Sequence, residues 1–176
     1  AFLMATTQLL IKNAMPRCRD PGACLTEINR QICSLVFGGQ FITIMIIVID
    51  HATGSLNIAS AGQAPPLLKR GARVEEIDLD PQLVVGVDET MHYQTHTIPA
   101  VPGDVLLLYT DGIVETTDHN GVQLGLAGLS SALADAPDEP EHILHSLLGA
   151  IAAHRQGEDP EDDLTLVALR LLPLAP

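Results

Sequence analysis

The sequence predicts a single α+β domain, in which helices at both ends of the chain enclose a run of short strands. Three observations support this prediction. The chain has 176 residues, of which 47% are hydrophobic and 18% are charged, so one domain with a sizeable core is expected and a disordered chain is not. Apolar residues recur at helical spacing near both ends of the sequence. Between them, β-branched runs alternate with Gly, Pro and Asp, which is typical of antiparallel sheet.

Two helices are predicted before the first strand. The first covers residues 1–15, where apolar residues occur without any preceding cap and Pro16 follows to end the helix. Because no cap precedes it, we expect the chain to be a fragment that is cut inside this helix. The second helix begins at Asp20-Pro21, a cap followed by a first-turn proline, and its apolar residues repeat at helical spacing until Gly38-Gly39.

The middle of the chain is predicted to form antiparallel sheet. A β-branched run at 41–50 and a second run at 56–61 flank turn-forming residues, and together they predict a hairpin. Further strands are predicted wherever an apolar run is bounded by Gly, Pro or Asp. These strands cover residues 66–69, 73–77, 91–98 and 105–110.

The C-terminal third of the chain is predicted to add two helices and a last strand. A short helix is expected over residues 126–134. A longer helix begins at Pro140 and stops at Gly157, consistent with proline at the first position of a helix and glycine after its end. Continuous apolar residues then predict a strand over 164–172.

The composition excludes several classes of partner. Nine Lys and Arg stand against 22 Asp and Glu, which gives a formal net charge of -13 and a pI near 4.6. Nucleic acids and anionic membrane surfaces are bound through clustered positive charge, so neither is expected as a partner.

The apolar runs are too short to span a bilayer, no secretory signal is visible, and the three cysteines lack the spacing of a disulfide framework or a zinc site. We therefore expect a cytoplasmic protein.

Acidic residues adjoin two of the predicted strands. Asp111 directly follows the strand at 105–110, and Asp162 precedes the strand at 164–172. If these strands are antiparallel neighbours, the end of the first lies beside the start of the second, and the two carboxylates converge. Converging carboxylates repel each other unless they share a proton or a divalent cation. Oxygen ligands with no His or Cys nearby favour Mg²⁺ or Mn²⁺ over zinc.

The Asp111-Gly112 pair is also compatible with two other interpretations, an ordinary turn and the motif of a different class of phosphatase. Asp-Gly pairs are common turn formers, so both acidic segments could be ordinary solvated loops. An apolar strand that ends in Asp-Gly also occurs in haloacid-dehalogenase-type phosphatases, whose nucleophilic aspartate would stand at position 109. That position is Tyr109, so the required nucleophile is absent.

Six stretches of the sequence occur in an order that matches a known family. They are residues 41–43, 50–54, 61–68, 102–104, 107–115 and 162–166. Each stretch alone is a weak signal, but the ordered set covers nearly the whole chain. Together they resemble the metal-dependent PPM (PP2C-like) protein Ser/Thr phosphatases, in the SpoIIE-type branch of bacterial stress and sporulation regulators.

The resemblance implies a fold, a cofactor and a set of site residues. The fold is a PP2C-like αββα sandwich, with two antiparallel sheets flanked by helices and two Mn²⁺ or Mg²⁺ ions at one end of the sheets. Asp111 matches the family's metal aspartate in its Thr-Asp-Gly motif, and Asp162 matches the aspartate that opens its Asp-Asp or Asp-Asn motif, with Asp163 as a secondary candidate. In such enzymes a metal-activated water attacks the phosphorus, so no catalytic side chain beyond the metal ligands is needed.

The sequence departs from the family pattern at its amino end. In the family, an Asp-x-x-Gly-His-Gly-like motif supplies the aspartate that bridges both metals, and it precedes a helix that residues 2–5 resemble. The first strands and this first metal motif are therefore expected to be missing, so that residues 1–176 form a phosphatase domain that is incomplete at its N-terminus. With fewer carboxylates, we expect weak metal binding and little or no activity from these 176 residues.

The leading hypothesis is a metal-dependent protein serine/threonine phosphatase domain that acts on a phosphorylated bacterial signalling protein. By family analogy, the substrate is an anti-anti-sigma factor, an upstream sensor or receiver domain controls the activity, and the domain forms a homodimer. The alternative is a non-catalytic interaction module, which would keep the sandwich and bind phosphoproteins without hydrolysing them.

Overall fold

The computed structural model of the chain describes residues 2–36, 39–50, 52–157 and 162–173. Its helices are α1 (Phe2–Ala14), α2 (Pro21–Cys33), α3 (Asp111–Glu115), α4 (Gly125–Asp135) and α5 (Pro140–Arg155). Its strands are β1 (Ile44–Asp50), β2 (Ser55–Ala61), β3 (Leu67–Arg70), β4 (Arg73–Glu76), β5 (His96–Pro99), β6 (Val105–Tyr109) and β7 (Leu166–Arg170). The strands form two antiparallel sheets, in the orders β1-β2-β5 and β4-β3-β6-β7.

The chain forms two compact units. The first comprises Ala1–Gln63 and Leu79–Ala100, and the second comprises Ala64–Asp78 and Val101–Pro176. Each unit contains one of the two sheets together with the helices that cover it. The combination of helices with antiparallel sheets confirms the predicted α+β class. The prediction of one domain that is incomplete at its N-terminus stays a prediction.

In the first unit, α2 begins as its sequence predicts. The side chain of Asp20 accepts a hydrogen bond from the N–H of Ala23 at 2.7 Å, and Pro21 takes the first helical position. The apolar face of α2 is formed by Leu25, Ile28 and Ile32, which are fully buried. It packs against strands β1 and β2 of the three-stranded sheet. The predicted hairpin of β1 and β2 is observed.

The strand predicted over residues 91–98 is much shorter than expected. Only His96–Pro99 pairs with β2. Upstream of it, the N–H of Tyr93 donates to the hydroxyl of Thr26 on α2 at 3.0 Å instead of to a strand partner. A helix side chain therefore satisfies the backbone where the sequence pattern predicts sheet.

The second unit is built around β6, which is a central strand of its sheet. Leu107 of β6 is fully buried, and so are Leu133 of α4 and Leu147 of α5 in the same cluster. The short helix α3 is not predicted by the sequence pattern, because its five residues are too few to show a helical repeat and Asp-Gly pairs are common in turns. After Tyr109 the chain turns directly into this helix.

Among the described residues, no helix combines the length and the apolar character that crossing a bilayer would require.

Candidate metal centre

The two predicted acidic segments lie at one end of the strands of the four-stranded sheet, where β6 ends and β7 begins. β6 ends at Tyr109 and β7 begins at Leu166, and these two residues are direct partners in the antiparallel register. Asp111 follows the end of β6 and lies in the first turn of α3. Asp162 precedes the start of β7. The expected meeting of strand end and strand start is therefore observed.

Gly112 is the point at which the two segments touch. A Cβ atom at this position would lie 2.8 Å from the carbonyl oxygen of Asp163 and 3.4 Å from the Cβ of Asp162. The first distance is shorter than real Cβ contacts allow, so the close approach of the backbones requires glycine. The segment that carries Asp162 therefore passes directly beside the residue that follows Asp111.

Thr110 connects the same two segments through three hydrogen bonds. Its backbone N–H donates to the carbonyl of Thr165 at 3.2 Å. Its hydroxyl accepts from the N–H of Thr165 at 3.0 Å and donates to the carbonyl of Asp163 at 3.3 Å. These bonds hold the segment before β7 against the segment after β6.

Both carboxylates are exposed and oriented by local hydrogen bonds. Oδ1 of Asp111 accepts from the N–H of Gly112 at 3.0 Å, and Oδ1 of Asp162 accepts from the N–H of Asp163 at 2.7 Å. Within the part of the chain that the structure describes, neither carboxylate forms an ion pair. A carboxylate has about four lone-pair positions, so each keeps oxygen acceptors for a cation.

The donor set fits a hard divalent cation in its chemical type. Carboxylate oxygens without His or Cys suit Mg²⁺ and Mn²⁺. In residues 2–36, 39–50, 52–157 and 162–173, no group of three or more His, Cys, Asp or Glu side chains surrounds one point. The end of β6 and the start of β7 place two candidate ligands near each other in the fold, the carboxylates of Asp111 and Asp162. Asp163 contributes its carbonyl to the contact with Thr110, and its side chain is exposed.

The residue before this site is a buried tyrosine. Burial of Tyr109, followed by the negative charge of Glu76, raises the pKa of its phenol above the ordinary value. The phenol therefore stays protonated at neutral pH. This agrees with the sequence argument that position 109 does not supply a nucleophile.

Two residues that shape the site are missed by reasoning from the sequence. Thr110 and Gly112 belong to a matching motif, but the sequence pattern assigns no role to them. Their roles depend on contacts with residues more than 50 positions away, which sequence spacing does not reveal. No local signal distinguishes these roles, because a hydroxyl and a glycine on either side of a carboxylate also suit an ordinary helix cap or turn.

Comparison with known proteins identifies the family. The family model described as Stage II sporulation protein E (SpoIIE) matches residues 1–172. The chain is 24% identical over 168 residues to Phosphoserine phosphatase RsbP of Bacillus subtilis, covering 90% of this chain and 40% of the relative. It is 23% identical over 130 residues to Protein IcfG of Synechocystis, covering 74% of this chain and 20% of the relative. The chain thus spans less than half the length of these curated relatives.

Solved structures show the same fold at low sequence identity. One is the PP2C phosphatase domain with a fragment of the regulatory domain of SpoIIE from Bacillus subtilis, with a TM-score of 0.84 and 22% identity over 99% of this chain and 51% of that chain. Another is the SiaA-PP2C domain of Pseudomonas aeruginosa, with a TM-score of 0.84 and 22% identity over 97% of this chain and 70% of that chain. The chain therefore belongs to the SpoIIE family and has the fold of PP2C phosphatase domains.

Proposed function

We propose that this chain hydrolyses phosphoserine or phosphothreonine in a bacterial signalling protein and that Asp111 and Asp162 hold the divalent cations on which the reaction depends. The observation that carries the proposal is the position of these two exposed carboxylates at one edge of the second sheet, where β6 ends and β7 begins. Membership of the SpoIIE family supports it, and so does similarity to a relative named as a phosphoserine phosphatase.

Backbone N–H groups orient the two carboxylates, and the carboxylates would hold the cations that attract a phosphorylated substrate. The N–H groups of Gly112 and Asp163 each fix one oxygen of a neighbouring carboxylate, which leaves the remaining lone pairs for cation binding. Two bound Mn²⁺ or Mg²⁺ ions would supply an acidified water and neutralise the charge of the phosphoryl group. Because the chain carries a formal charge of -13, an anionic phosphopeptide is repelled unless that edge holds cations.

The partners that we propose follow the family. The substrate is a phosphorylated regulator of the anti-anti-sigma class, and a sensor or receiver domain upstream of this domain controls its activity. A homodimer is the proposed assembly. Asp163 stays a secondary candidate for a cation ligand, since its exposed side chain lies beside Asp162.

The proposal is tested by phosphate release from a phosphoserine peptide, with the full-length protein and the 176-residue chain assayed in parallel. The full-length protein should be active with Mn²⁺ and inactive with EDTA, whereas the 176 residues alone should be weakly active, because few carboxylates hold a cation weakly. Asp111→Asn and Asp162→Asn should each lower kcat/KM by more than about 100-fold, beyond the loss typical of residues around the ligands.

The matched control is Asp78→Asn, which removes one exposed carboxylate from the same unit. It should leave phosphate release unchanged. Full activity in both Asp111→Asn and Asp162→Asn would contradict the proposal, as would activity that is insensitive to EDTA. A folded full-length protein that binds the phosphopeptide without hydrolysing it would instead indicate a non-catalytic interaction module.

A further inference from the structure

The hydroxyl of Thr110 does not play the role that its position in the fold suggests. Thr110 is the N-cap residue of α3, with extended backbone angles, yet its side chain makes no capping hydrogen bond. A threonine in this position normally bonds to a free N–H of its own helix and stabilises the helix. Here the hydroxyl is committed elsewhere.

Both hydrogen bonds of this hydroxyl end on the segment that carries Asp162. It accepts from the N–H of Thr165 at 3.0 Å and donates to the carbonyl of Asp163 at 3.3 Å. One hydroxyl can act as donor and acceptor at once, so a single side chain binds two backbone positions of the facing segment. The regular β6-β7 pairing ends at Tyr109 and Leu166, so these bonds lie beyond the sheet.

Thr110 and the segment that it binds each adjoin a proposed cation ligand. Thr110 precedes Asp111, and Asp163 follows Asp162. The contacts between Thr110, Gly112 and Asp163 therefore join the two backbone segments that carry the carboxylates. Constellations that bind metals have to be held to within about 0.5 Å, and hydrogen bonds around the ligands commonly provide this precision.

We propose that Thr110 is a positioning residue, whose hydroxyl ties the segment of Asp162 to the segment of Asp111 and so fixes the separation of the two cation ligands. This inference rests on the proposed function, because it assumes that the two aspartates bind cations. It adds that a neutral residue, whose hydroxyl bonds to the backbone of Asp163 and Thr165, sets the affinity of the site.

The test compares Thr110→Val, which keeps the shape and loses the hydroxyl, with Thr110→Ser, which keeps the hydroxyl. In the full-length protein, Thr110→Val should weaken Mn²⁺ binding, measured by calorimetry, by about 10- to 100-fold, as is typical of groups that orient metal ligands. Thr110→Ser should remain close to wild type. Hydrogen exchange at the amide of Thr165 should become faster in Thr110→Val and stay slow in Thr110→Ser, with or without metal.

The matched control is Thr116→Val. The hydroxyl of Thr116 donates to the carbonyl of Gly112 at 2.6 Å. This variant therefore loses one hydroxyl hydrogen bond next to the site, whereas Thr110→Val loses the two that reach residues 163 and 165. Thr116→Val should therefore lower the melting temperature while keeping the affinity for Mn²⁺. An equal loss of affinity in Thr116→Val and Thr110→Val would show general destabilisation and overturn the inference.

The remaining outcomes separate this inference from the proposed function. If wild type binds Mn²⁺ and Thr110→Val binds it equally well, the positioning role is wrong and the proposed function stands. The positioning role is also wrong if Thr110→Ser loses as much affinity as Thr110→Val. If the folded wild-type protein binds no Mn²⁺, the proposed function fails and the positioning role fails with it.

Discussion

At the scale of single residues, small uncharged groups bring the two acidic segments together. Gly112 leaves room for the carbonyl of Asp163 to approach, and the hydroxyl of Thr110 donates a hydrogen bond to that same carbonyl. A larger side chain at position 112 would have to push the segment away, since packed regions of proteins have little free volume. The geometry of the candidate site therefore depends on residues that a search for ligand types alone does not detect.

Replacing Gly112 by alanine tests this contact. The new Cβ would meet the carbonyl oxygen of Asp163 at 2.8 Å, so the segment before β7 has to shift. We expect Gly112→Ala to lower the free energy of unfolding by about 1–3 kcal/mol, measured by urea denaturation, and to weaken Mn²⁺ binding. The control is Gly149→Ala in α5, where a Cβ meets nothing within 4 Å. There alanine should stabilise the helix by about 0.5–1 kcal/mol.

A destabilised Gly149→Ala variant would contradict this view of α5. A Gly112→Ala variant as stable as wild type would contradict the close contact between residues 112 and 163.

The buried phenol of Tyr93 gives a prediction for pH dependence in the first unit. Tyr93 is 6% exposed, and its hydroxyl has no hydrogen-bond partner among the described residues. Burial, followed by the negative charges of Cys33 and Asp88, raises the pKa of this phenol from 10.0 to about 12. The folded protein therefore retains the proton more tightly than the unfolded chain does.

Tyr93→Phe should be neutral or should raise the free energy of unfolding by about 1 kcal/mol at pH 7, because it removes a buried polar group that has no partner. Because the folded state binds the phenolic proton more tightly, this linkage adds stability to wild type that is fully present below pH 10. That stability is lost as the pH rises through about 12. The difference between wild type and Tyr93→Phe should therefore grow over that range in urea denaturation series. Strong destabilisation of Tyr93→Phe at pH 7 would mean that the hydroxyl has a hydrogen-bond partner.

At the scale of elements, the start of β6 is fixed by a buried carboxylate. Asp104 is 2% exposed. Its carboxylate accepts a bifurcated hydrogen bond from the Nε–H of Arg70, at 3.1 Å to each oxygen, and a second from Nη2 of the same guanidinium at 3.1 Å. It also accepts one from the N–H of Val101 at 3.0 Å. Its backbone carbonyl accepts from the N–H of Leu171 at 2.8 Å. One residue therefore joins the end of β3, the turn before β6 and the chain after β7.

Asp104→Ala should therefore lower the free energy of unfolding more than the removal of an exposed charge such as that of Arg73. Its charged hydrogen bonds stabilise the fold, but Arg70 is 39% exposed and can regain water, so we expect a loss of about 2 kcal/mol in the free energy of unfolding by urea denaturation. Arg73→Gln breaks the pair with Glu75 where the arginine is 78% exposed, and it should change stability by less than about 1 kcal/mol. Equal effects of the two changes would show that the buried carboxylate has no special role.

The elements show where the sequence predicts structure well and where it does not. The hairpin of β1 and β2 and the start of α2 are predicted correctly because turn residues and caps act locally. The strand at 91–98 is predicted too long, because Tyr93 bonds to Thr26 of α2, and this contact depends on tertiary structure. Ile42 likewise lies outside β1, since it forms an isolated bridge with Val85. The helix α3 is missed because its five residues are too few to show a helical repeat.

At the scale of the whole molecule, the fold class and the convergence of the acidic segments follow from the order of elements along the chain. An apolar strand that is followed by Asp111 and a strand that begins after Asp162 are sufficient to predict that the two acidic segments meet if the strands pair, and the strands do pair. The link through Thr110 could not be predicted, because nothing in the local sequence indicates that this N-cap threonine bonds across to the other segment.

Because the molecule is strongly acidic, cation binding alone does not demonstrate a metal centre, and the place where cations bind has to be determined. With 22 Asp and Glu in the chain, cations can gather at many carboxylates by weak electrostatic attraction. A metal centre requires one preferred site, at the edge where Asp111 and Asp162 lie.

The most direct test is therefore paramagnetic broadening by Mn²⁺ in nuclear magnetic resonance spectra of the ¹⁵N-labelled full-length protein. At low Mn²⁺ concentration, the amide signals of residues 110–112 and 162–165 should broaden first, and Asp162→Asn should abolish this selectivity while Asp78→Asn preserves it. Broadening that is spread equally over acidic segments such as 135–139, or that is unchanged in Asp162→Asn, would contradict a metal centre at Asp111 and Asp162.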